Sequence, residues 1–155
     1  MISKQRLDIF MGALQRAGLR LTPQRRAVCE YLAHTDQHPS PYQVYADVTR
    51  AHPEISRATI YNTLNTLQQL GAIVEVSFGA EHTHYDTNPE PHINLICLRC
   101  HSVVDYHSAV ADQFTKNAEF VSLQEAIGFQ VMATKVDVLG LCHACQQEGQ
   151  AVADR

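Results

Sequence analysis

Two pairs of cysteines share one spacing in the second half of the chain. Cys97-Leu-Arg-Cys100 and Cys142-His-Ala-Cys145 each place two thiols across a short turn. Together they supply the four thiolates of the tetrahedral shell that structural Zn²⁺ adopts. An iron–sulfur site and two disulfides are the alternatives. Because four thiolates leave no open coordination position, the pattern predicts structural zinc and argues against zinc catalysis at these cysteines.

Cysteine use also bears on the compartment. The 155 residues contain five cysteines. No apolar run approaches the roughly 20 residues that span a bilayer, and residues 1–10 lack the apolar segment of a signal peptide. We therefore expect a cytoplasmic protein with reduced thiols and no membrane partner. Cys29 occupies an apolar helix position and is predicted to be a buried hydrophobe.

Histidines form a second candidate metal site. The chain has nine of them, and several lie near the middle of the sequence. These are His82, His84, His92, His101 and His107. The clustering indicates a second metal ion, since imidazole is a common metal ligand, although any single histidine can equally be ordinary polar surface.

Charge is unevenly divided along the chain. Residues 1–80 hold 8 Lys and Arg against 6 Asp and Glu, whereas residues 81–155 hold 4 against 10. The net charge of −4 therefore combines +2 in the first part with −6 in the second. This asymmetry indicates a basic part that contacts nucleic acid and an acidic regulatory part.

The first part reads as helices with clear start and stop signals. Residues 3–17 have apolar positions at helical spacing, and Gly18 follows as a C-cap. Thr22-Pro23 and Ser40-Pro41 each pair an N-cap with a proline at the first helical position. These signals predict two further helices, one ending near Ala33 and one before Pro53.

A fourth helix begins after Ser56 and ends at Gly71. Residues 73–78 and 82–86 then flank Gly79-Ala80 as a hairpin. Helices followed by a hairpin predict a winged helix-turn-helix, in which the fourth helix enters the major groove of DNA. The alternative is a small helical domain with a polar face. The candidate DNA contacts are Arg57, Thr59 and Tyr61 on this helix, with Arg20 and Arg25 near the DNA backbone.

The segment Asn88-Pro-Glu-Pro91 is the predicted domain boundary. It divides a winged-helix domain, residues 1–87, from a metal-binding dimerisation domain, residues 92–155, with residues 88–91 as the hinge. Strands are predicted at 93–97, 103–106 and 129–141, and a helix at 109–126. The fold class is thus α+β. About 65 residues bury little core, so zinc and homodimerisation are both expected.

With these elements in place, the chain resembles the ferric uptake regulator family from about Leu7 to Cys145. The matching segments are Gly18–Arg25, the His38-Pro39 loop, Ser56–Leu67, His92–Cys100, Val104–His107 and the final Cys142-x-x-Cys145. Within that family the pattern is most similar to peroxide-stress repressors. The resemblance implies a cytoplasmic homodimer that binds a palindromic double-stranded DNA operator, with no small organic substrate and no enzymatic activity.

The resemblance also implies a regulatory ion held by three histidines and two aspartates. Carried over by position, these ligands fall on His38, Asp86, His92, Asn94 and Asp105. Asn94 replaces the usual histidine, and His84 or His101 are possible substitutes. Two nitrogen and three oxygen ligands favour Fe²⁺ or Mn²⁺ over Zn²⁺.

Three functions remain open at this point. They are a peroxide-sensing repressor, an iron- or zinc-uptake repressor of the same family, and a metal-storage or zinc enzyme module. The uptake repressors' second regulatory site is poorly matched, because Pro91, Ile93 and Thr134 stand where its His or Asp ligands usually are. The absence of a His-Glu-x-x-His pattern disfavours a zinc enzyme. In the iron form of a peroxide sensor, His38 or His92 would be oxidised.

Overall fold

The computed structural model describes residues 2–77, 83–115 and 117–153. The chain forms two compact units, Met1–Pro89 and Glu90–Arg155. The division between them falls inside the segment 88–91 that the sequence marks as a hinge.

The first unit consists of four helices followed by a hairpin. They are α1 (Ile2–Arg16), α2 (Pro23–His34), α3 (Pro41–Ala51), α4 (Arg57–Gln69), β1 (Val74–Ser77) and β2 (Thr83–Asp86). The two strands are antiparallel, with Val74 opposite Asp86 and Ser77 opposite Thr83. The predicted turn at Gly79-Ala80, with Phe78 and His82, lies outside the described residues.

Side-chain caps fix where three of these helices begin. The hydroxyl oxygens of Thr22, Ser40 and Ser56 each accept a hydrogen bond from a backbone N–H three residues later. Each such cap stabilises a helix by about 1 kcal/mol. Gly18 and Gly71 have φ of 72° and 67°, the left-handed conformation expected where α1 and α4 end.

The core of the first unit is built from all four helices. Its side chains include Phe10 and Leu14 of α1, Leu32 of α2 and Leu64 of α4, each at most 1% exposed. Burying side chains of this size stabilises a fold by about 1.5–3 kcal/mol each. The packing holds α4 with its apolar side inward, which leaves its polar side on the surface.

The second unit is mixed. It contains β3 (Ile93–Cys97), β4 (Val103–Tyr106), α5 (Ala109–Thr115), α6 (Ala118–Ile127), β5 (Asp137–Gly140) and α7 (His143–Ala153). The strand order is β4-β3-β5, with β3 antiparallel to β4 and parallel to β5. The predicted α+β fold class is therefore confirmed.

Two predicted elements of the second unit were wrong in extent. The single helix expected at 109–126 is two helices, because Asn117 accepts hydrogen bonds from the backbone N–H groups of Glu119 and Phe120 and so starts a new helix. The strand expected at 129–141 is limited to Asp137–Gly140, which pairs with Asn94–Cys97 of β3. The final helix, α7, was not predicted.

One face of the small sheet is apolar and exposed. Leu95 of β3 lies between Val104 of β4 and Val138 of β5 in the strand register. These side chains are 39%, 57% and 48% exposed.

Within the described ranges no helix combines the length and the apolar character needed to cross a membrane.

Candidate functional site

The four cysteines of the repeated motif come together within the second unit. The Sγ atoms of Cys97, Cys100, Cys142 and Cys145 all lie within 4.8 Å of one another. The Sγ atoms of Cys100 and Cys142 are 3.8 Å apart. Four sulfurs at this mutual distance fit the tetrahedral shell of a structural zinc ion.

The electrostatics of the cluster also suit a cation. The backbone N–H groups of Cys100, Cys142 and Arg99, the first having the largest effect, donate to the Cys97 sulfur and lower its pKa to about 5. The neighbouring Cys142 sulfur and burial instead raise the pKa of Cys145. Four adjacent thiols thus resist ionising together, and a bound divalent ion removes that penalty because it stabilises every thiolate.

Two side chains that the sequence analysis missed support the cysteine turns. Arg99 donates from Nη1 to the carbonyl oxygen of Cys145 at 2.7 Å, which ties the first cysteine pair to the second. The Ser102 hydroxyl lies 3.2 Å from Cys100 Sγ, and its hydrogen bond lowers the pKa of that thiol. Both residues lie within two positions of Cys100, so their proximity in sequence was the available signal.

Cys29 has a different environment from the other four. It is fully buried in the helical core of the first unit, as predicted. Burial, with a smaller effect of Glu30, raises the pKa of its thiol to about 12. A thiol that stays protonated is a poor nucleophile and metal ligand.

Three of the predicted regulatory ligands meet in the second unit, and we call them the His92 group: His92, Asn94 and Asp105. His92 Nε2 lies 3.2 Å from Asn94 Oδ1 and 3.7 Å from Asp105 Oδ1. Asn94 and Asp105 are directly opposite each other on β3 and β4. The strand register therefore places an amide oxygen and a carboxylate beside one imidazole nitrogen.

The hydrogen bonds of His92 fit a metal ligand. Its Nδ1 lies 2.7 Å from the carbonyl oxygen of Glu90, which can only accept, so Nδ1 carries a proton. Nε2 is then the ring nitrogen that is available to a metal ion, and it lies beside the oxygens of Asn94 and Asp105. A proton on the non-ligating nitrogen is typical of metal-binding histidines.

The Asn94 amide has a defined orientation. Its Nδ2 donates to Asp137 Oδ1 at 3.0 Å, and Asp137 Oδ2 lies 2.8 Å from Lys135 Nζ. A carboxylate can only accept, so the bond assigns the amide nitrogen to the Asp137 side and the oxygen to the His92 side. Neither Asp137 nor Lys135 was predicted, because the Asp137 contact with Asn94 depends on the pairing of β3 with a strand 43 residues away, and Lys135 reaches the site only through Asp137.

The remaining two predicted ligands, His38 and Asp86, lie in the first unit. Pro39 accepts a hydrogen bond from Tyr85 N at 3.0 Å, and the His38 carbonyl oxygen lies 2.7 Å from His84 Nδ1. These contacts hold the loop before α3 against β2. A ring nitrogen of His38 and a carboxylate oxygen of Asp86 consequently lie within 4.8 Å of each other.

Three other histidines from the sequence cluster, His84, His101 and His107, lie in described parts of the chain. His84 uses Nδ1 for the His38 carbonyl oxygen. The ring of His107 lies 5.8 Å from that of His92, centroid to centroid, and its Nδ1 is 3.3 Å from the Pro91 carbonyl oxygen. His101 adopts a φ of 62° beside the first cysteine turn. The substitution of His84 or His101 for a missing ligand thus stays a prediction.

The polar side of α4 carries the predicted nucleic-acid contacts. Arg57 is exposed, and its guanidinium lies 5.0 Å from the ring centroid of Tyr61 and donates to the Tyr61 hydroxyl at 3.3 Å. It also lies 5.7 Å from the ring centroid of Tyr45. Tyr61 is half-buried against the helical core, so its ring packs on the core while its hydroxyl side is compatible with the predicted surface contact.

A polar depression joins the N-terminal ends of α2 and α4. It is lined by Thr22, Gln24, Arg25, Glu54, Ile55, Ser56, Thr59, Asn62 and Thr63. Arg25 donates from Nη1 to the Arg20 carbonyl oxygen at 2.8 Å, which places both predicted arginines at the start of α2. Helix N-termini favour anions, so this surface suits phosphate contact.

Comparison with known proteins agrees with these features. The model of the ferric uptake regulator family matches residues 16–135. The peroxide-responsive repressor PerR of Staphylococcus epidermidis is 32% identical over 143 residues, which are 92% of each chain.

Solved structures give the same family. The Campylobacter jejuni peroxide stress regulator is 31% identical, with a TM-score of 0.62 over 87% of this chain and 98% of that one. The Helicobacter pylori ferric uptake regulator shares the fold at 18% identity, with a TM-score of 0.67 over 94% and 95% of the two chains. This chain belongs to the ferric uptake regulator family.

Proposed function

We propose that this chain is a metal-dependent DNA-binding repressor that responds to peroxide and uses Fe²⁺ or Mn²⁺ as its regulatory ion. The observation that carries the proposal is the His92 group, where one imidazole nitrogen faces two oxygens. Similarity to peroxide-responsive repressors over nearly the whole chain supports the same conclusion. The role is regulatory, not enzymatic.

The proposed regulatory site combines the His92 group with His38 and Asp86. Two imidazoles, two carboxylates and one amide oxygen form a set richer in oxygen than typical zinc sites. Such a set suits Mn²⁺ and Fe²⁺ by ligand hardness. Because the ligands are divided between residues before and after the 88–91 hinge, binding would restrict that hinge and fix the orientation of the DNA-binding unit.

DNA recognition is proposed for α4 and the adjacent polar depression. Arg57, Thr59 and Tyr61 lie in the first two turns of α4, the part of a recognition helix that enters the major groove. Arg20 and Arg25 contact the DNA backbone in this proposal. The net charge of +2 in residues 1–80 is consistent with attraction to phosphate.

The active form is proposed to be a cytoplasmic homodimer on a palindromic operator. The apolar face around Leu95, Val104 and Val138 gives a second copy of the chain a surface to cover. Two copies related by a twofold axis present two recognition helices, which matches two half-sites about one DNA turn apart.

Peroxide sensing is proposed to act on the ligands themselves. Held by His38, Asp86, His92, Asn94 and Asp105, Fe²⁺ would supply the reducing electron for peroxide. His38 and His92 are the oxidisable ligands of the set, and a ring that gains oxygen binds metal poorly. If either imidazole no longer binds the ion, the restriction on the hinge is lost and the affinity for DNA falls.

The test is binding of a family-type palindromic operator fragment by zinc-replete protein with Mn²⁺, Fe²⁺ or Zn²⁺, before and after peroxide. We expect binding with Mn²⁺ and Fe²⁺, lost after peroxide with Fe²⁺ alone, and one added oxygen on peptides carrying His38 or His92. Binding selective for Fe²⁺ or Zn²⁺ that survives peroxide would identify an uptake regulator instead. Failure to bind DNA with every metal would contradict both and favour metal storage.

Arg57→Ala should weaken operator binding about 10- to 100-fold, the loss expected for one arginine contact to a base. Arg57 is exposed, so the melting temperature should not change. Fluorescence anisotropy with labelled operator would measure the affinity. Arg26→Ala is the matched control, since Arg26 is also exposed and pairs with Glu30 on α2. Equal affinities for the Arg57 variant and the wild type would remove Arg57 from the interface.

A further inference from the structure

We infer that Asp137, supported by Lys135, is a positioning residue that turns the Asn94 amide oxygen toward the regulatory ion. The inference rests on the proposed function. It assigns a role to two residues that are not themselves metal ligands: Asp137 at the start of β5 and Lys135 just before it.

The strand register creates the contact. Asn94 of β3 lies between Asp105 of β4 and Asp137 of β5, so one polar row crosses all three strands. Asn94 is 1% exposed. A buried amide must satisfy its N–H groups within the protein, and Asp137 Oδ1 accepts one of them at 3.0 Å.

The orientation of the amide decides whether Asn94 can bind a cation. A carboxamide has an oxygen that attracts a cation at one end and an NH₂ group that repels it at the other. A half-turn of the group exchanges the two ends with little change in shape. A carboxylate beyond Asn94 prevents this half-turn, because the flipped amide would set its oxygen against Asp137 Oδ1.

Lys135 holds the carboxylate in place. Its Nζ lies 2.8 Å from Asp137 Oδ2, which leaves Oδ1 for the Asn94 amide. The Lys135 ammonium also offsets part of the negative charge that Asp137 adds near Asp105. Lys135, Asp137 and Asn94 thus form a chain of contacts that ends at the amide oxygen facing His92 Nε2.

The test combines Asp137→Ala with Asn94→Asp and measures Mn²⁺ binding to the zinc-replete protein by electron paramagnetic resonance. In the wild-type background Asp137→Ala should weaken Mn²⁺ binding about 10- to 100-fold, as is usual for residues that orient metal ligands. In the Asn94→Asp background, Asp137→Ala should leave Mn²⁺ binding unchanged or strengthen it. An aspartate at 94 has oxygens at both ends and needs no orientation, and it is repelled by Asp137.

A purely structural role for Asp137 predicts a different pattern of Mn²⁺ binding in the two backgrounds. If Asp137 only stabilised β5, its removal would weaken Mn²⁺ binding by the same factor in both backgrounds, and this result would overturn the inference. Zinc content should be normal in every variant. Glu125→Ala, at an exposed acidic residue of α6, is the control and should bind Mn²⁺ like the wild type.

Nuclear magnetic resonance of protein that lacks the regulatory ion tests the orientation of the Asn94 amide directly. The side-chain NH₂ signals of Asn94, identified by their loss in Asn94→Asp, should exchange with solvent more slowly than those of exposed asparagines and should shift in Asp137→Ala. Unshifted signals would overturn the inference. Wild-type protein that binds no Mn²⁺ would overturn the proposed function with it, whereas normal Mn²⁺ binding by Asp137→Ala would overturn the inference alone.

Discussion

We expect Cys97→Ser to abolish stoichiometric zinc binding and to unfold the second unit. Cys97 is 3% exposed at the end of β3, and its sulfur accepts the backbone N–H of Cys142 at 3.4 Å. The cysteine turns join β3 to the segment after β5, and Ile96 and Ala111 are the other buried hydrophobic side chains among the residues of this unit whose burial is described. Isolated zinc modules gain about 10–16 kcal/mol from their metal, so losing one thiolate removes a large part of the stability.

The measurement is zinc content by atomic emission together with thermal melting by circular dichroism. The melting transition of the second unit should disappear, or fall by more than about 15 °C if some structure remains, since one kcal/mol corresponds to about 4–8 °C in a small domain. Cys29→Ala is the matched control, because that thiol lies in the helical core of the first unit. It should keep its zinc. A Cys97→Ser variant with full zinc and unchanged melting would show that the cluster is not a structural site.

The second large effect is expected from His92→Ala. Mn²⁺ binding should weaken by more than about 100-fold, since even residues that merely orient a ligand contribute about 10- to 100-fold. His92 is one of two imidazoles in the proposed set, and its Nδ1 contact with Glu90 aims Nε2 at Asn94 and Asp105. Mn²⁺ should then no longer increase operator affinity.

Isothermal titration with Mn²⁺ and operator-binding curves with and without Mn²⁺ would measure these changes. His34→Ala is the control, because His34 is exposed at the end of α2 and lies against the carbonyl oxygen of Glu30. It should behave like the wild type. Zinc content should be normal in both variants. Mn²⁺-stimulated operator binding by His92→Ala would exclude His92 as a regulatory ligand.

Local signals in the sequence were sufficient for most of the first unit. A hydroxyl cap, a following proline and a terminal glycine act over four or five residues, so Thr22, Ser40, Ser56 and Gly71 could be identified from their neighbours. The same holds for the cysteine pairs, whose spacing itself indicates metal binding. The fold class and the family resemblance were confirmed.

Long-range pairing was the limit of prediction in the second unit. The extent of β5 depends on the residues that β3 offers as partners, and no property of residues 129–141 specifies them. The break between α5 and α6 was predictable in principle, because Asn117 is a strong N-cap residue, but the apolar spacing on either side concealed it. The role of Asp137 could not be predicted at all, since it exists only through the alignment of β5 with β3.

That alignment has a consequence for the order of assembly. Along the same pair of strands, Cys97 lies opposite Gly140 and Asn94 lies opposite Asp137. A shift of one residue in the pairing of β3 with β5 would turn Asp137 to the other face of the sheet. The four-cysteine cluster at the ends of these strands therefore also fixes the alignment that brings Asp137 to Asn94. We therefore expect zinc loading to precede binding of the regulatory ion, and zinc-depleted protein to bind Mn²⁺ or Fe²⁺ poorly.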